Sequence, residues 1–291
     1  MAQRKVLLTG AGGQLGTDVV FAASRNDAVD LHPFTRAELD ITDESRVRET
    51  ITRVAPEVII HAAAYTAVDD CETNEQHAID INGTGTANVV TAAREIGARV
   101  MYISTDYVFD GTKVEPYTEV DTPNPASVYG RSKLLGENAV SELGDAGLIV
   151  RTSWVCGAHG ANMVKTILRA VSQHPTLTFV DDQIGNPTFT TDLAEVLLTL
   201  ANRNDSGVMH VTNEGTVSWY EFCQEVLVAA GLERDRVQPC ATSELQPPRP
   251  ARRPANSVLA NTRFSPLGLE LLRPFEEPLR ETIHDLTKSS G

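Results

Sequence analysis

Short apolar runs alternate with stretches of helical period from the first residues of the chain. "KVLLTG" (5–10) reads as a strand ending in glycine, and an amphipathic stretch follows from Gln14 to about Arg25. "AVDLHPFT" predicts a second strand, followed by the helix of "DESRVRETITRV", which Asp43 is placed to cap. "EVIIHAAA" predicts a third strand, and a long helical region then runs from Asn74 to Ile96 through Gly83 and Gly85. "ARVMYIST" is a fourth strand, a helix spans Tyr129 to Leu143, and "GLIVRTSW" is a fifth strand.

Strand–helix alternation with apolar strands predicts an α/β fold, a Rossmann-type doubly wound parallel sheet covered by helices on both faces. Such sheets bind ligands at the carboxyl ends of their strands. Past about residue 155 the pattern loosens. "SQHPTLTFVDDQIGNPTFT" is rich in turn residues, and "ELQPPRPARRPANS" (244–257) is a Pro/Arg segment without periodicity. Helical stretches at 191–202, 218–230 and roughly 275–287 punctuate this half. The expected division is a cofactor-binding domain over 1–154, to which later segments return, and a smaller substrate-binding lobe over 155–291.

Composition narrows the function classes. The 291 residues are 41% hydrophobic and 22% charged, as in a globular protein. With 25 basic against 39 acidic residues the net charge is −14, which argues against a nucleic-acid or anionic membrane surface as the main partner. The four cysteines, Cys71, Cys156, Cys223 and Cys240, have no metal-ligand or CxxC spacing, and no stretch reads as a signal peptide or a membrane span. These features predict a reduced, cytoplasmic protein that binds a small molecule.

"TGAGGQLG" sets Gly10, Gly13 and Gly16 three apart between the first strand and its helix. That is where a backbone must approach a pyrophosphate closely and offer it unpaired N–H groups, so Gln14 and Leu15 join the glycines as expected cofactor contacts. At the second strand's end an acid would bind the ribose hydroxyls of NAD, and a base the 2′-phosphate of NADP. Arg36 stands there and favours NADP, while Asp30, earlier in the segment, keeps NAD open. Asp40 and Ile41 are placed to frame an adenine, and Ala62, Ala63 and Ala64 leave room for a flat cofactor. His61 is expected to be a satisfied strand-end histidine.

"VYGRSKLLGE" (128–137) puts Tyr129 and Lys133 four apart, on one helical face. An ammonium beside a phenol is expected to lower its pKa toward the range useful for acid catalysis. The Y-x-x-x-K spacing alone is also that of an ordinary surface pair. In "YISTDYVFDG", Ser104, Thr105 and Asp106 lie at the carboxyl end of the fourth strand, where Thr105 could hydrogen-bond a substrate oxygen. Glycine loop, hydroxyl cluster and Tyr/Lys pair are jointly far more specific than any one of them.

With these motifs the chain resembles the short-chain dehydrogenase/reductase superfamily in its extended, nucleotide-sugar form. The likeness runs from residue 9 to about 259 through "TGAGGQLG", "HAAAYTAVD", "STDYVFDG", "VYGRSKLLGE", "RTSWV", "VDDQIGNPT", "SWYEF" and "RRPANSVL". It implies that Tyr129 donates a proton while Lys133 partners it and anchors the ribose. It further implies that Thr105 and Asp106 bind at the reacting sugar, that Trp154 packs against it, and that Thr66 and Val68 line the cofactor–sugar boundary. Asn162 and Arg253, the latter with Asn256 and Ser257, become expected diphosphate contacts.

The activity implied is NAD(P)H-dependent reduction of the 4-keto group of dTDP-4-dehydro-6-deoxy-L-mannose to dTDP-L-rhamnose, a precursor of cell-surface polysaccharide. NADPH is the expected cofactor with NADH as the alternative, and a monomer or homodimer the expected assembly. Some members of the superfamily use Mg²⁺, and no carboxylate cluster here assigns it ligands. Two positions depart from the pattern: Cys156 stands where an aromatic is usual, and Ala260 where an Asp is frequent. A sister 4,6-dehydratase would need Glu after Asp106, where Tyr107 stands. A non-catalytic NADP-binding regulatory subunit is the rival from another class; the intact Tyr129, Lys133 and Thr105 favour an enzyme.

Overall fold

The computed structural model describes residues 3–288. Five strands follow in chain order, β1 (Arg4–Thr9), β2 (Val29–Phe34), β3 (Val58–His61), β4 (Arg99–Thr105) and β5 (Gly147–Thr152). With a sixth, Gly207–His210, they form one sheet in the order β2-β1-β3-β4-β5-(207–210), every pairing parallel. The order reverses at β1, which lies between β2 and β3, so a crevice opens at the carboxyl ends of β1 and β3.

Helices cover both faces because the strands are apolar on both. On one face α1 (Gln14–Ala23) and the helix Thr190–Ala201 bury Leu15, Val19, Leu193 and Leu197 against β1 and β3. On the other, α2 (Glu44–Val54) and the helices Thr86–Ile96 and Val128–Ser141 pack Val47, Ile51, Val89 and Val140 on Leu7, Ile59 and Tyr102. Asp43 caps α2 as expected, its side chain accepting from the Arg46 N–H at 3.0 Å. The expected helix from Asn74 begins at Glu75 and takes a π-helical turn over Asp80–Gly85. The short helix Val68–Thr73 precedes it, in a stretch to which the periodicity assigns no element.

The second half of the chain builds a lobe around the helices Met163–Gln173, Trp219–Ala229 and Glu276–Lys288, with Phe189, Phe222 and Phe275 at its centre. It is not a separate run of sequence, since 190–210 returns to the sheet. The amphipathic helix Met163–Gln173 and the strand Gly207–His210 went unmarked in the periodicity. Among the described residues no helix is long and apolar enough to cross a membrane.

Candidate active site

The loop after β1 is built for a close approach. Gly10 has φ +74°, and a Cβ there would stand 2.7 Å from the Ala63 nitrogen and 2.9 Å from the Ala62 carbonyl carbon. A Cβ on Gly16 would run into the Gly10 carbonyl and the Ala11 backbone. Gly13 is the N-cap of α1 and supplies no side-chain cap, so the first amides of that helix lack a side-chain acceptor.

Two cavities open along this loop and share Gly10, Gly13, Ala62 and Ala64. The first, about 450 Å³, also takes in Thr35, Arg36, Asp40, Ile41 and Ala63. The second, about 560 Å³, takes in Gln14, Leu15 and Gly16 on one side and Thr105, Asp106, Tyr129 and Lys133 on the other. Thr66, Val68 and Trp154 border the same space. Asp30 is elsewhere: it pairs in register with Lys5, far down β2 from the glycine loop, and hydrogen-bonds His32 at 3.1 Å. It therefore does not meet a ribose at the strand tip, and the acidic alternative for NAD loses its residue.

The helix Val128–Ser141 starts at Ser127, whose hydroxyl accepts from the Gly130 N–H at 3.1 Å. Tyr129, Lys133 and Glu137 succeed one another by one turn along its buried face. Lys133 Nζ donates to the Ile103 carbonyl at 2.8 Å and stands 4.0 Å over the Tyr102 ring. Burial pushes its pKa down to about 7 against the pull of Glu137. Glu137 is itself clamped from the sheet, accepting from Ser104 Oγ at 2.5 Å and from Arg151 at 2.9 and 2.6 Å. Thus three successive residues of β4 serve the site: Ile103 holds the lysine, Ser104 the glutamate, and Thr105 faces the phenol.

The expected lowering of the Tyr129 pKa is not what the site does. The phenol is buried, and loss of water raises its pKa well above the ordinary tyrosine value, with the neighbouring Thr105 hydroxyl acting the other way. The ammonium that was to lower it is turned to Ile103 and is buried too. Tyr129 therefore carries its proton at neutral pH. Asp106, hydrogen-bonded by Thr105 at 2.8 Å, is pushed by burial up to about 6. His61 is satisfied within the core, 2.7 Å from Thr9 Oγ1 and 3.1 Å from Thr86 Oγ1, and burial holds its pKa at about 3.

Three expected substrate contacts lie outside these cavities. Asn162 caps the helix Met163–Gln173 through the Lys165 N–H and donates to Gln14 Oε1 at 2.6 Å, so it steadies the glycine loop from the lobe. Arg253 makes a two-pronged pair with Asp69 at 2.9 and 2.8 Å and borders a separate cleft with Arg249 and Arg252. Asn256 spends its amide on the carbonyls of Lys113 and Val114. Their side chains are engaged by the protein, which a reading by spacing has no means to see.

Other residues escaped the sequence reading. Asn82, in the π turn, accepts from the Tyr65 N–H and donates to the Tyr65 carbonyl and to Ser132, tying the β3 loop to the helix Val128–Ser141. Trp219 borders the second cavity and stacks on Trp154. Trp154 itself has φ +45°, a backbone region that costs a residue with a side chain on the order of 1–3 kcal/mol. Among the described residues no group of three His, Cys, Asp or Glu side chains is arranged to hold a metal ion.

Comparison with known proteins agrees with this geometry. The family model described as "RmlD substrate binding domain" matches residues 4–288. The dTDP-4-dehydrorhamnose reductase of Streptomyces griseus is 39% identical, over 98% of this chain and 95% of its own. The crystal structure of a dTDP-4-dehydrorhamnose reductase from Clostridium acetobutylicum superposes with a TM-score of 0.92 at 42% identity, covering 97% of this chain and 99% of that one. That of the dTDP-4-dehydrorhamnose reductase from Bacillus anthracis, in complex with NADP, gives 0.91 at 36% identity, covering 98% and 100%. A parallel sheet with its glycine loop, a buried Tyr/Lys pair and a match over almost every residue lead to one statement: this chain belongs to the RmlD substrate binding domain family, that of the dTDP-4-dehydrorhamnose reductases.

Proposed function

We propose that the protein reduces the 4-keto group of dTDP-4-dehydro-6-deoxy-L-mannose to dTDP-L-rhamnose with NADPH, in the cytoplasm. The observation that carries the reading is the convergence of Thr105, Tyr129 and Lys133 on one cavity that is continuous with the glycine loop. Bound NADPH supplies the hydride to C4 of the sugar. Tyr129, kept protonated by burial, gives its proton to the C4 oxygen as charge grows there, and Thr105, its hydroxyl turned from Asp106 to the substrate, donates a hydrogen bond to the same oxygen. Lys133, with one of its three donors on Ile103, keeps donors for the ribose hydroxyls.

Gly10, Gly13 and Gly16 admit the pyrophosphate to the start of α1, and Arg36 takes the 2′-phosphate at the edge of the first cavity. Asp40 and Ile41 would frame the adenine, and the small side chains of Ala62, Ala63 and Ala64 would let the cofactor lie against backbone. Thr66, Val68, Asp106 and Trp154 hold the sugar. Asn162, Arg253 and Asn256 act on the diphosphate only through the segments they fasten. The four unpaired cysteines fit a reducing compartment. The test is oxidation of NADPH by the purified protein with dTDP-4-dehydro-6-deoxy-L-mannose, followed by identification of the sugar product. Uptake of NADPH with no turnover would leave a binding subunit in its place.

A further inference from the structure

The two tryptophans of the chain, Trp154 and Trp219, are 65 positions apart and lie face to face, ring centroids 3.6 Å apart and planes 6° from parallel. Trp154 follows β5, whereas Trp219 opens a helix of the C-terminal lobe, and both border the cavity that holds Tyr129 and Thr105. A face-to-face pair is not the arrangement that aromatic quadrupoles favour, so its surroundings must impose it. They do. Phe222 meets both indoles edge-on, at 6.3 and 5.9 Å. A Cβ on Gly185 would stand 2.5 Å from Trp154 Cε2 and 2.6 Å from Nε1, so the indole is backed by bare backbone. Gly185 pairs in turn with Val217, in the short antiparallel ladder that leads into Trp219. Ser218 then starts the helix with a reciprocal cap and anchors it to Asp181 at 2.6 Å.

Trp154 has a left-handed backbone, and nothing in its own sequence neighbourhood favours that turn for a residue with a Cβ. The stacked partner and the glycine wall account for its persistence. A hexose presents a face of C–H groups, and the apolar surface that takes it must have a fixed plane if C4 is to meet the phenol. We propose that Trp219 is a positioning residue for the sugar, acting through Trp154, so that the C-terminal lobe sets the plane on which the substrate lies. This rests on the reductase reading above.

The test uses the full-length protein with NADPH and dTDP-4-dehydro-6-deoxy-L-mannose. Two stacked indoles give a coupled pair of circular-dichroism bands of opposite sign, and with only two tryptophans present that signal belongs to this pair. Trp219→Ala should abolish the couplet and raise the KM for the sugar about tenfold, with the KM for NADPH held within about twofold. Trp219→Phe should restore most of the sugar affinity, since a ring remains. Gly185→Ala, which leaves both tryptophans in place, should displace Trp154, alter the couplet and raise the same KM; it also serves if Trp219→Ala does not fold.

Absence of the couplet in the unaltered protein, or an unchanged sugar KM in folded Trp219→Ala or Gly185→Ala, would overturn the proposal. Parallel losses for sugar and NADPH would overturn it as well. If the unaltered protein oxidises no NADPH, the reductase reading fails and the proposal goes with it; if it turns over normally and the variants keep their sugar KM, the proposal alone fails.

Discussion

Glu137 holds Arg151 with two hydrogen bonds, Nε to Oε1 at 2.9 Å and Nη2 to Oε2 at 2.6 Å, and both side chains are 3% exposed. The pair joins the helix Val128–Ser141 to β5, and Ser104 joins it to β4. Removing one charge leaves the other buried without compensation. Glu137→Gln is therefore expected to cost about 3–5 kcal/mol of stability, read by urea denaturation, because the guanidinium keeps its burial and loses its counter-ion. The double variant Glu137→Gln/Arg151→Met should recover part of that loss. An additive double variant would show that the two side chains do not act as a pair.

Tyr129 is expected to act in the chemical step and little in binding. Tyr129→Phe should lower kcat by about 10²- to 10⁴-fold, the range of a positioned general acid, and leave the Kd for NADPH nearly unchanged. Steady-state rates and a fluorescence titration of NADPH separate the two effects. Equal losses in both would remove the phenol from its assigned role.

The pH dependence follows from Lys133. Burial brings its pKa down to about 7, so the cation, the form that offers the ribose its full set of donors, prevails on the acid side and is lost as pH rises through that value. The groups around it are Glu137 and Tyr129 on its own helix, the Tyr102 ring on β4, and His61 on β3, which is neutral at these pH values. Tyr129, with its raised pKa, stays protonated across the same window. The ratio kcat/KM for NADPH, which reports the free enzyme, should fall on the alkaline side with an apparent pKa near 7. In Lys133→Met the residual rate should lose that limb.

Arg36 is exposed at the rim of the first cavity, where a 2′-phosphate would meet it. Arg36→Ala should raise the KM for NADPH by about 10-fold or more, as expected when a charge-assisted hydrogen bond is lost, and leave that for NADH in place. Initial rates with each cofactor decide it. Equal rises for the two would place the 2′-phosphate elsewhere.

What could be read from the chain was whatever is local. The loop of Gly10, Gly13 and Gly16 and the Tyr129/Lys133 spacing are short patterns whose geometry follows from a strand, a helix start and one helical turn. The first five strands are legible in their apolar runs, and their parallel pairing in the alternation with helices; the order of the strands is not. Partnerships between distant residues left no such trace. Nothing near Trp154 announces Trp219, and nothing in "GLIVRTSW" says that Arg151 will neutralise Glu137. Nothing near Arg253, an expected diphosphate contact, announces its partner Asp69, 184 positions away. The strand Gly207–His210 is four residues long and only its last two are buried, too brief for a period to register. The lowered phenol pKa failed for a related reason: spacing gives the neighbour of a group, and burial is a property of the whole fold.

The strand Gly207–His210 completes the sheet beside β5, and the helix before it covers α1. Chain cut after residue 154 would end its sheet on β5 with one side of that strand's amides and carbonyls bare, and with an apolar flank of α1 facing water. Such a piece would be a template for clumping rather than a small nucleotide carrier. The sheet is therefore closed only by chain that has already passed through the C-terminal lobe, and no single cut at residue 154 separates the two.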